Sequence, residues 1–435
     1  MTGRRPRPRA AAALVLVGLL PACTGGAAEP RTDAVPDSPP AATGTPSMSS
    51  PGGTPVASPS SAPTTRTAEE QLALDTALIE AAWADDVPRA RELVTAGADV
   101  NAQDGTRQSA YLIATSKGFG ELLELTLAAG GDLAALDSFQ GTGLIRAAER
   151  GHAAVVGRLL RAGIAVDHVN RPGFTALHEA IIYGDGSQRY LDTVRLLVAA
   201  GTDVRLTPVG DGIPPVQHAR SRGQTEIAAT LQAALDTPPP ADPNGALLAA
   251  AADGAADRVV LALRAGAELE VRDAHGRTPL LLAAAADRTA VARLLVALGA
   301  DPDALDDRHD TPWLVTGVTG SVPMLEILLP AGPDLTIRNR FGGLAHIPAA
   351  ERGHVDYLRR VVQTGIDVDH VNDPGWTALL EAVVYGDGGP RYQEVVRILL
   401  DAGADPGIRD AGGRTALDHA TARGHAEIAR LLRAG

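Results

Sequence analysis

The chain has 435 residues, with 39 basic and 52 acidic side chains, a formal charge of −13 and a single cysteine. An acidic body is repelled by phosphate backbones, which excludes nucleic acid as a partner, and one cysteine excludes disulfide stapling, so stability must come from packing. The length exceeds what one ordinary core needs and allows several domains or an extended repeat array.

The first 22 residues, MTGRRPRPRAAAALVLVGLLPA, place four arginines ahead of an apolar run from Ala10 to Leu20. This is the form of an export signal, and the run is too short for a comfortable membrane span. It stops at Leu20-Pro21-Ala22-Cys23, which resembles the lipobox of bacterial lipoproteins. The resemblance implies Sec export, cleavage of residues 1–22 and lipidation of Cys23. The lipid would be the chain's only membrane contact, holding it on the outer face of the cytoplasmic membrane. Pro21 is unusual in a lipobox and keeps ordinary secretion as the alternative. Without residues 1–22 the chain has 35 basic and 52 acidic side chains, a formal −17.

Residues 23–68 follow as a tether. Of the 45 residues from Thr24 to Ala68, 24 are Pro, Ser or Thr, too few of them apolar to offset the entropy of ordering a backbone. As a flexible chain the segment would reach roughly 35–40 Å.

From Glu69 the pattern changes to short amphipathic helices punctuated by glycine. Gly97, Gly130, Gly163 and Gly201, then Gly266, Gly299, Gly332, Gly365 and Gly403, recur every 33 residues, or every 38 where the chain is locally longer. Most follow a leucine-rich helix end and precede an aspartate, as in LVTAGADVNAQD. Arg277–Ala286, RTPLLLAAAA, reads as a helix opening in which Thr278 caps, Pro279 fits the first turn and the alanines allow close neighbours. Val155, Val156, Leu159 and Leu160 make one apolar face of a second helix that Gly163 stops in a left-handed conformation.

These units resemble ankyrin repeats, whose signature is Thr-Pro-Leu-His-x-Ala at a period of about 33. The resemblance covers residues 70–435 and implies an all-α repeat solenoid of about eleven units, each a β-turn finger followed by a helix pair. Stacking then buries what one unit cannot. Units 1–5 span 69–235 and units 6–11 span 244–435. The prolines at 238–240 mark an irregular finger at 236–243, and the surviving repeat phase predicts a continuous stack across it.

DHVNRPGFTALHEAIIYGDGSQRY, from Asp167, returns as DHVNDPGWTALLEAVVYGDGGPRY, from Asp369, with 17 of 24 positions identical. The 202-residue offset records duplication of a block of repeats. Both copies carry five extra residues between their helices, at Tyr183, Asp185, Arg189 and Tyr190, and at Tyr385, Asp387, Arg391 and Tyr392. Glycines permit a sharp excursion there, and the arginines could pair with the aspartates or hold a polar ligand beside His168, Asn170, Glu179, His370, Asn372 and Glu381. Equally, the tyrosines could pack on the neighbouring unit while the aspartate caps the second helix. Phe174, Trp313 and Trp376 are candidate anchors for a partner where exposed.

No catalytic motif is present. His178-Glu179 lacks the second histidine of a zinc protease, and the acidic finger Asp301–Asp310 lacks the glycine and final glutamate of a calcium loop. His152, His354 and His425 follow glycines at a structural position of the repeat. The expected function is a non-enzymatic scaffold, without cofactor or metal, that binds a basic or mixed-charge protein through its fingers and first helices. The alternative is an envelope protein that binds a small molecule or metal at the two Tyr-Gly-Asp-Gly loops.

Overall fold

A hydroxyl opens most first helices. Thr175, Thr278, Thr311, Thr377 and Thr415 each accept a hydrogen bond from the backbone N–H three residues on, satisfying a donor that the first turn leaves free. At the far end of nine second helices the recurring glycines take positive φ, from 71° at Gly332 to 93° at Gly97, Gly266 and Gly403. With caps at both ends, short helices of marginal intrinsic stability become fixed units.

The computed structural model describes residues 66–434 apart from 209 and 211. The export segment, Cys23 and most of the tether lie outside the described residues. Among the described residues, twenty-two α-helices pair in chain order. The first three pairs are Ala68–Trp83 and Val87–Thr95 (α1, α2), Ala110–Lys117 and Gly120–Ala128 (α3, α4), and Gly143–Glu149 and Ala153–Arg161 (α5, α6). Next come Ala176–Ile182 and Gln188–Ala199 (α7, α8), Pro215–Ser221 and Thr225–Asp236 (α9, α10), and Pro243–Asp253 and Ala256–Arg264 (α11, α12). Pro279–Ala285 and Thr289–Ala297 (α13, α14), Pro312–Thr319 and Val322–Leu328 (α15, α16), and His346–Arg352 and Val355–Val361 (α17, α18) follow. The last pairs are Ala378–Tyr385 and Pro390–Asp401 (α19, α20), and Ala416–Arg423 and Ala426–Ala434 (α21, α22). The fold is an all-helical repeat solenoid, as the glycine period predicts.

The folded body starts slightly before the boundary expected from composition. Thr67 caps α1 in a reciprocal box with Glu70, and the Arg66 guanidinium donates to Gln71 at 2.8 Å. The helical body therefore includes residues 66–68, ahead of the expected start at 69.

Fingers are tied in two ways that explain the recurring aspartates. Within a finger, one oxygen of Asp104, Asp137, Asp273, Asp306 or Asp410 accepts the amides two and four residues on. Between fingers, Asn101, Asp303 and Asp369 accept the amide of the next unit's aspartate, at Asp132, Asp334 and Asp405, and Asp75 within α1 does the same for Asp99. The acidic stretch 301–310 is spent on these ties, and among the described residues no group of His, Cys, Asp or Glu is placed to hold a metal ion.

At the 202-residue offset, α3–α10 superimpose in sequence on α15–α22 and α2 on α14, which leaves α11 and α12 as a spacer between two related blocks. First helices pack in file from α1 to α9 and again from α11 to α21, but no comparable packing joins α9 to α11. Instead α12 packs on α8, and α14 packs on both α6 and α8. The expectation of a continuous stack is corrected here. Pro238–Pro240 replace a finger, their missing N–H groups offer no tie to a neighbour, and the chain turns back so that second helices of the two blocks meet.

Candidate functional site

The side of each unit that carries fingers and first helices presents the same apolar group twice. Phe139 and Phe341, at two fingertips, are each 54% exposed. Val169 and Val371, on the next fingers, are 41% and 44% exposed, and Tyr183 and Tyr385, at the ends of α7 and α19, are each 60% exposed. All three pairs stand 202 residues apart. Large side chains this open are uncommon in so aromatic-poor a chain, and their recurrence in equal exposure marks two matched faces. A backbone hydrogen bond fixes each fingertip against the next, from Arg171 N–H to Phe139 O at 2.8 Å and from Asp373 N–H to Phe341 O at 2.9 Å.

Beneath each face lies a buried amide–carboxyl pair. Asn170 Nδ2 donates to Glu179 Oε1 at 2.6 Å, and Asn372 Nδ2 donates to Glu381 Oε1 at 2.9 Å. In two other fingers the residue is an aspartate that meets a basic side chain nine positions on, Arg146 for Asp137 and the His419 imidazole for Asp410. An asparagine at this place avoids setting two carboxylates together. Burial, reinforced by Glu351, outweighs the Asn372 hydrogen bond and Arg352, and pushes the Glu381 carboxyl up to about 7. Burial raises Glu179 in the same direction.

The sign of the pH dependence follows. A carboxyl that holds its proton more tightly when folded supports stability fully below its ordinary value near 4.5, and that support is lost as pH rises through about 7. Glu381→Gln, which keeps a neutral acceptor for Asn372, is expected to shrink the fall in melting temperature between pH 5 and pH 8. Thermal unfolding of both chains at the two pH values checks it.

The two faces differ in relief. In the second copy a groove of about 600 Å³ opens between fingers and first helices, lined in part by Phe341, Pro348, Arg352, Glu381 and Tyr385. In the first copy the place of Pro348 belongs to Arg146. Its guanidinium pairs with Asp137 and, at 2.7 Å, with Glu149, and lies 5.2 Å from the Phe139 ring centre.

Several expected site residues have other tasks. Tyr190 and Tyr392 are buried, and their hydroxyls donate to the carbonyl oxygens of Glu149 and Glu351 at 3.1 and 2.8 Å. They close over the end of the preceding first helix and are not available to a partner. Asp185 and Asp387 each accept a backbone amide two residues on, from Ser187 and Gly389 at 2.9 Å. Arg189 pairs with Asp185 at 3.8 Å, while Arg391 lies over the Tyr392 ring. The five extra residues do not form a free loop. In the first copy α8 runs to 12 residues against 9 in α6, so much of the insertion lengthens the second helix.

Trp313 is 1% exposed, which removes it as an anchor. Phe174 and Trp376 are half-buried, the latter packed 5.5 Å from the Tyr385 ring. His152 and His354 reach back to the carbonyl oxygens of Ser116 and Val318 in the preceding unit, at 3.3 and 3.2 Å. Phe139 and Phe341 escaped the sequence reading because they precede the duplicated phrase. The usable signal was that two of only four phenylalanines stand at the same offset.

Family models described as ankyrin repeats match residues 74–105, 111–208, 275–307, 313–410 and 390–433. The chain is similar to the ankyrin repeat protein YahD of Escherichia coli (strain K12), 39% identical over 186 residues that cover 42% of this chain and 92% of YahD. It is also similar to the ankyrin repeat and KH domain-containing protein mask-1 of Caenorhabditis elegans, 28% identical over 69% of this chain but only 12% of that protein. Among solved structures, an ankyrin repeat domain from Acinetobacter baumannii AYE is 43% identical over 43% of this chain and 96% of that chain, with a TM-score of 0.41.

Proposed function

The chain belongs to the ankyrin-repeat family, and from that premise we propose that it is a non-enzymatic scaffold that binds a protein through the two matched faces. Ankyrin repeats are typically scaffolds for protein–protein interaction. The observation that carries the reading is the recurrence of Phe139, Val169 and Tyr183 as Phe341, Val371 and Tyr385 at matching exposure. Rigid aromatic side chains lose little entropy on contact and make efficient anchors. The acidic body favours a basic or mixed-charge partner and an association that weakens with salt.

In this proposal Cys23 is lipidated, and the tether holds the repeats off the outer face of the cytoplasmic membrane. Arginines ahead of a short apolar run ending at Leu-Pro-Ala-Cys support it. Cys23→Ala is expected to move the chain from the membrane to the soluble fraction, and mass spectrometry of the N-terminal peptide reads the lipid directly. A chain equally membrane-bound without Cys23 would remove the anchor from the reading.

The binding test is a cross-linking pull-down from the source cell's envelope. It compares the full chain with Phe139→Ala/Tyr183→Ala, Phe341→Ala/Tyr385→Ala and the variant combining all four. Circular dichroism checks that each stays folded, since surface truncations cost little stability. A specific protein is expected to be retained weakly by each pair and lost with all four. Equal capture by every variant would place the contact elsewhere. The small-molecule reading has one feature in its favour, the groove beside Glu381, but Arg146 fills the corresponding place in the first copy.

A further inference from the structure

Gly157 stands in the middle of α6, where glycine weakens a helix relative to alanine. At the same place in α18 the chain has Arg359, half exposed and paired with Asp356 at 2.8 Å and Glu394 at 3.1 Å. The repeat itself therefore accepts a large side chain there. What forbids one at 157 is a neighbour: a Cβ would overlap the carbonyl oxygen of Ala297, the last residue of α14 in the other block.

Polar contacts surround this approach. Arg293 Nε in α14 donates to Asp192 Oδ2 in α8 at 2.9 Å. Arg195 Nε in α8 donates to Asp257 Oδ1 in α12 at 2.8 Å, and the Thr230 hydroxyl in α10 donates to the same oxygen at 2.8 Å. Arg264 of α12 donates to the carbonyl oxygens of Val198 and Thr202 at 3.1 and 2.8 Å. The Asp192 and Arg195 side chains are 9% and 11% exposed, against 36% and 44% for Glu394 and Arg397 at the same places in α20. Leu191, fully covered in α8, corresponds to the part-exposed Gln393. By contrast, ion pairs along the second-helix row are retained, Arg158 with Glu124 and Arg360 with Glu326, both at 2.5 Å. The duplicated blocks thus diverge where α6 and α8 meet the other block.

We propose that α6 and α8 form a docking surface whose occupant is the later part of the same chain, the spacer helix α12 and α14 of the second block, which lock the two blocks back to back around Gly157. The lock uses second helices, and recognition uses fingers and first helices on the other side of each unit. The two matched faces are thereby held at a fixed separation on the outside of the pair. A partner that offers the same apolar surface twice, such as a symmetric dimer, then meets its second site at high effective concentration. This consequence rests on the reading of the matched faces as the recognition surface. The lock itself does not.

Spin labels at Ser138→Cys and Arg338→Cys, in a full chain carrying Cys23→Ser, report the distance between blocks by double electron–electron resonance. The unaltered lock is expected to give one narrow distribution. Gly157→Arg is expected to lengthen and broaden it with helical circular dichroism retained, and Arg359→Gly is expected to leave it unchanged. Should Gly157→Arg lose helix, Asp192→Arg takes its place, with Arg293→Asp added in the same chain to restore the narrow distance by reversing the ion pair. A broad distribution before any lock substitution, or one unmoved by both Gly157→Arg and Asp192→Arg, overturns the proposal. No partner enters the measurement, so loss of the lock and loss of partner capture are separate results.

Discussion

Trp313→Ala is expected to destabilise the second block by about 3–5 kcal/mol, the usual range for deleting a fully buried aromatic from a core that cannot close the void. Trp313 is 1% exposed within α15, and the first helices on either side, α13 and α17, are already in contact with that helix. Among the described residues its Nε1 meets no hydrogen-bond acceptor, so the ring contributes by packing and not by a polar contact. Trp313→Phe removes the orphaned donor along with part of the ring, and its cost is therefore expected to be well below that of alanine. Urea unfolding followed by circular dichroism measures both. Hydrogen exchange across α13–α17 tests whether the loss is local, as expected where each unit is coupled mainly to its neighbours. Equal costs for alanine and phenylalanine would show that the indole nitrogen finds a partner in solution.

The second large effect concerns a contact whose two sides have exchanged sizes between the blocks. In the first block Thr115 of α3 faces Gly143 at the start of α5, and a Cβ on Gly143 would lie 2.8 Å from Thr115 Cγ2. In the second block the corresponding residues are Gly317 and Ala345, and a Cβ on Gly317 would overlap the Ala345 carbonyl oxygen. Gly317→Thr is expected to cost about 3 kcal/mol, the upper end for overpacking, because the obstacle is backbone. Ala345→Gly leaves that carbonyl in place but frees the backbone at 345 to turn it aside, as Gly143 is free to do in the first block, and the added substitution is expected to recover at least half of the loss. The double-mutant cycle then yields a coupling above about 1 kcal/mol, where independent sites would add. Additive losses would mean that the two blocks position these helices by other contacts.

Much of the architecture was legible because it is written in local chemistry. The glycine period, the capping threonines and Pro279 each act within a turn or two, and each sits in the structure where its chemistry requires. The candidate site was legible only in part. Tyr190 and Tyr392 drew notice as aromatic residues beside glycines, but whether a tyrosine meets solvent or a neighbour's carbonyl depends on the direction in which the lengthened helix leaves the turn. Trp313 has its own reason. It occupies the place of Tyr111, another fully buried ring, so the duplication itself pointed to a core role. The lock left the weakest trace. It depends on a reversal at Pro238–Pro240 that brings α6 to α14, and a lone helical glycine does not say which backbone it admits.

The exchanged contact also bears on how the gene can change. Two blocks this alike invite recombination between their coding sequences, and a crossover falling between units 8 and 9, or between units 2 and 3, would join one side of the contact to the wrong counterpart. One product would press Thr115 against Ala345, and the other would leave Gly317 facing Gly143 across a gap. Each block has acquired its own fit, so lengthening or shortening the array by whole blocks is filtered at the protein level by a pair of small side chains.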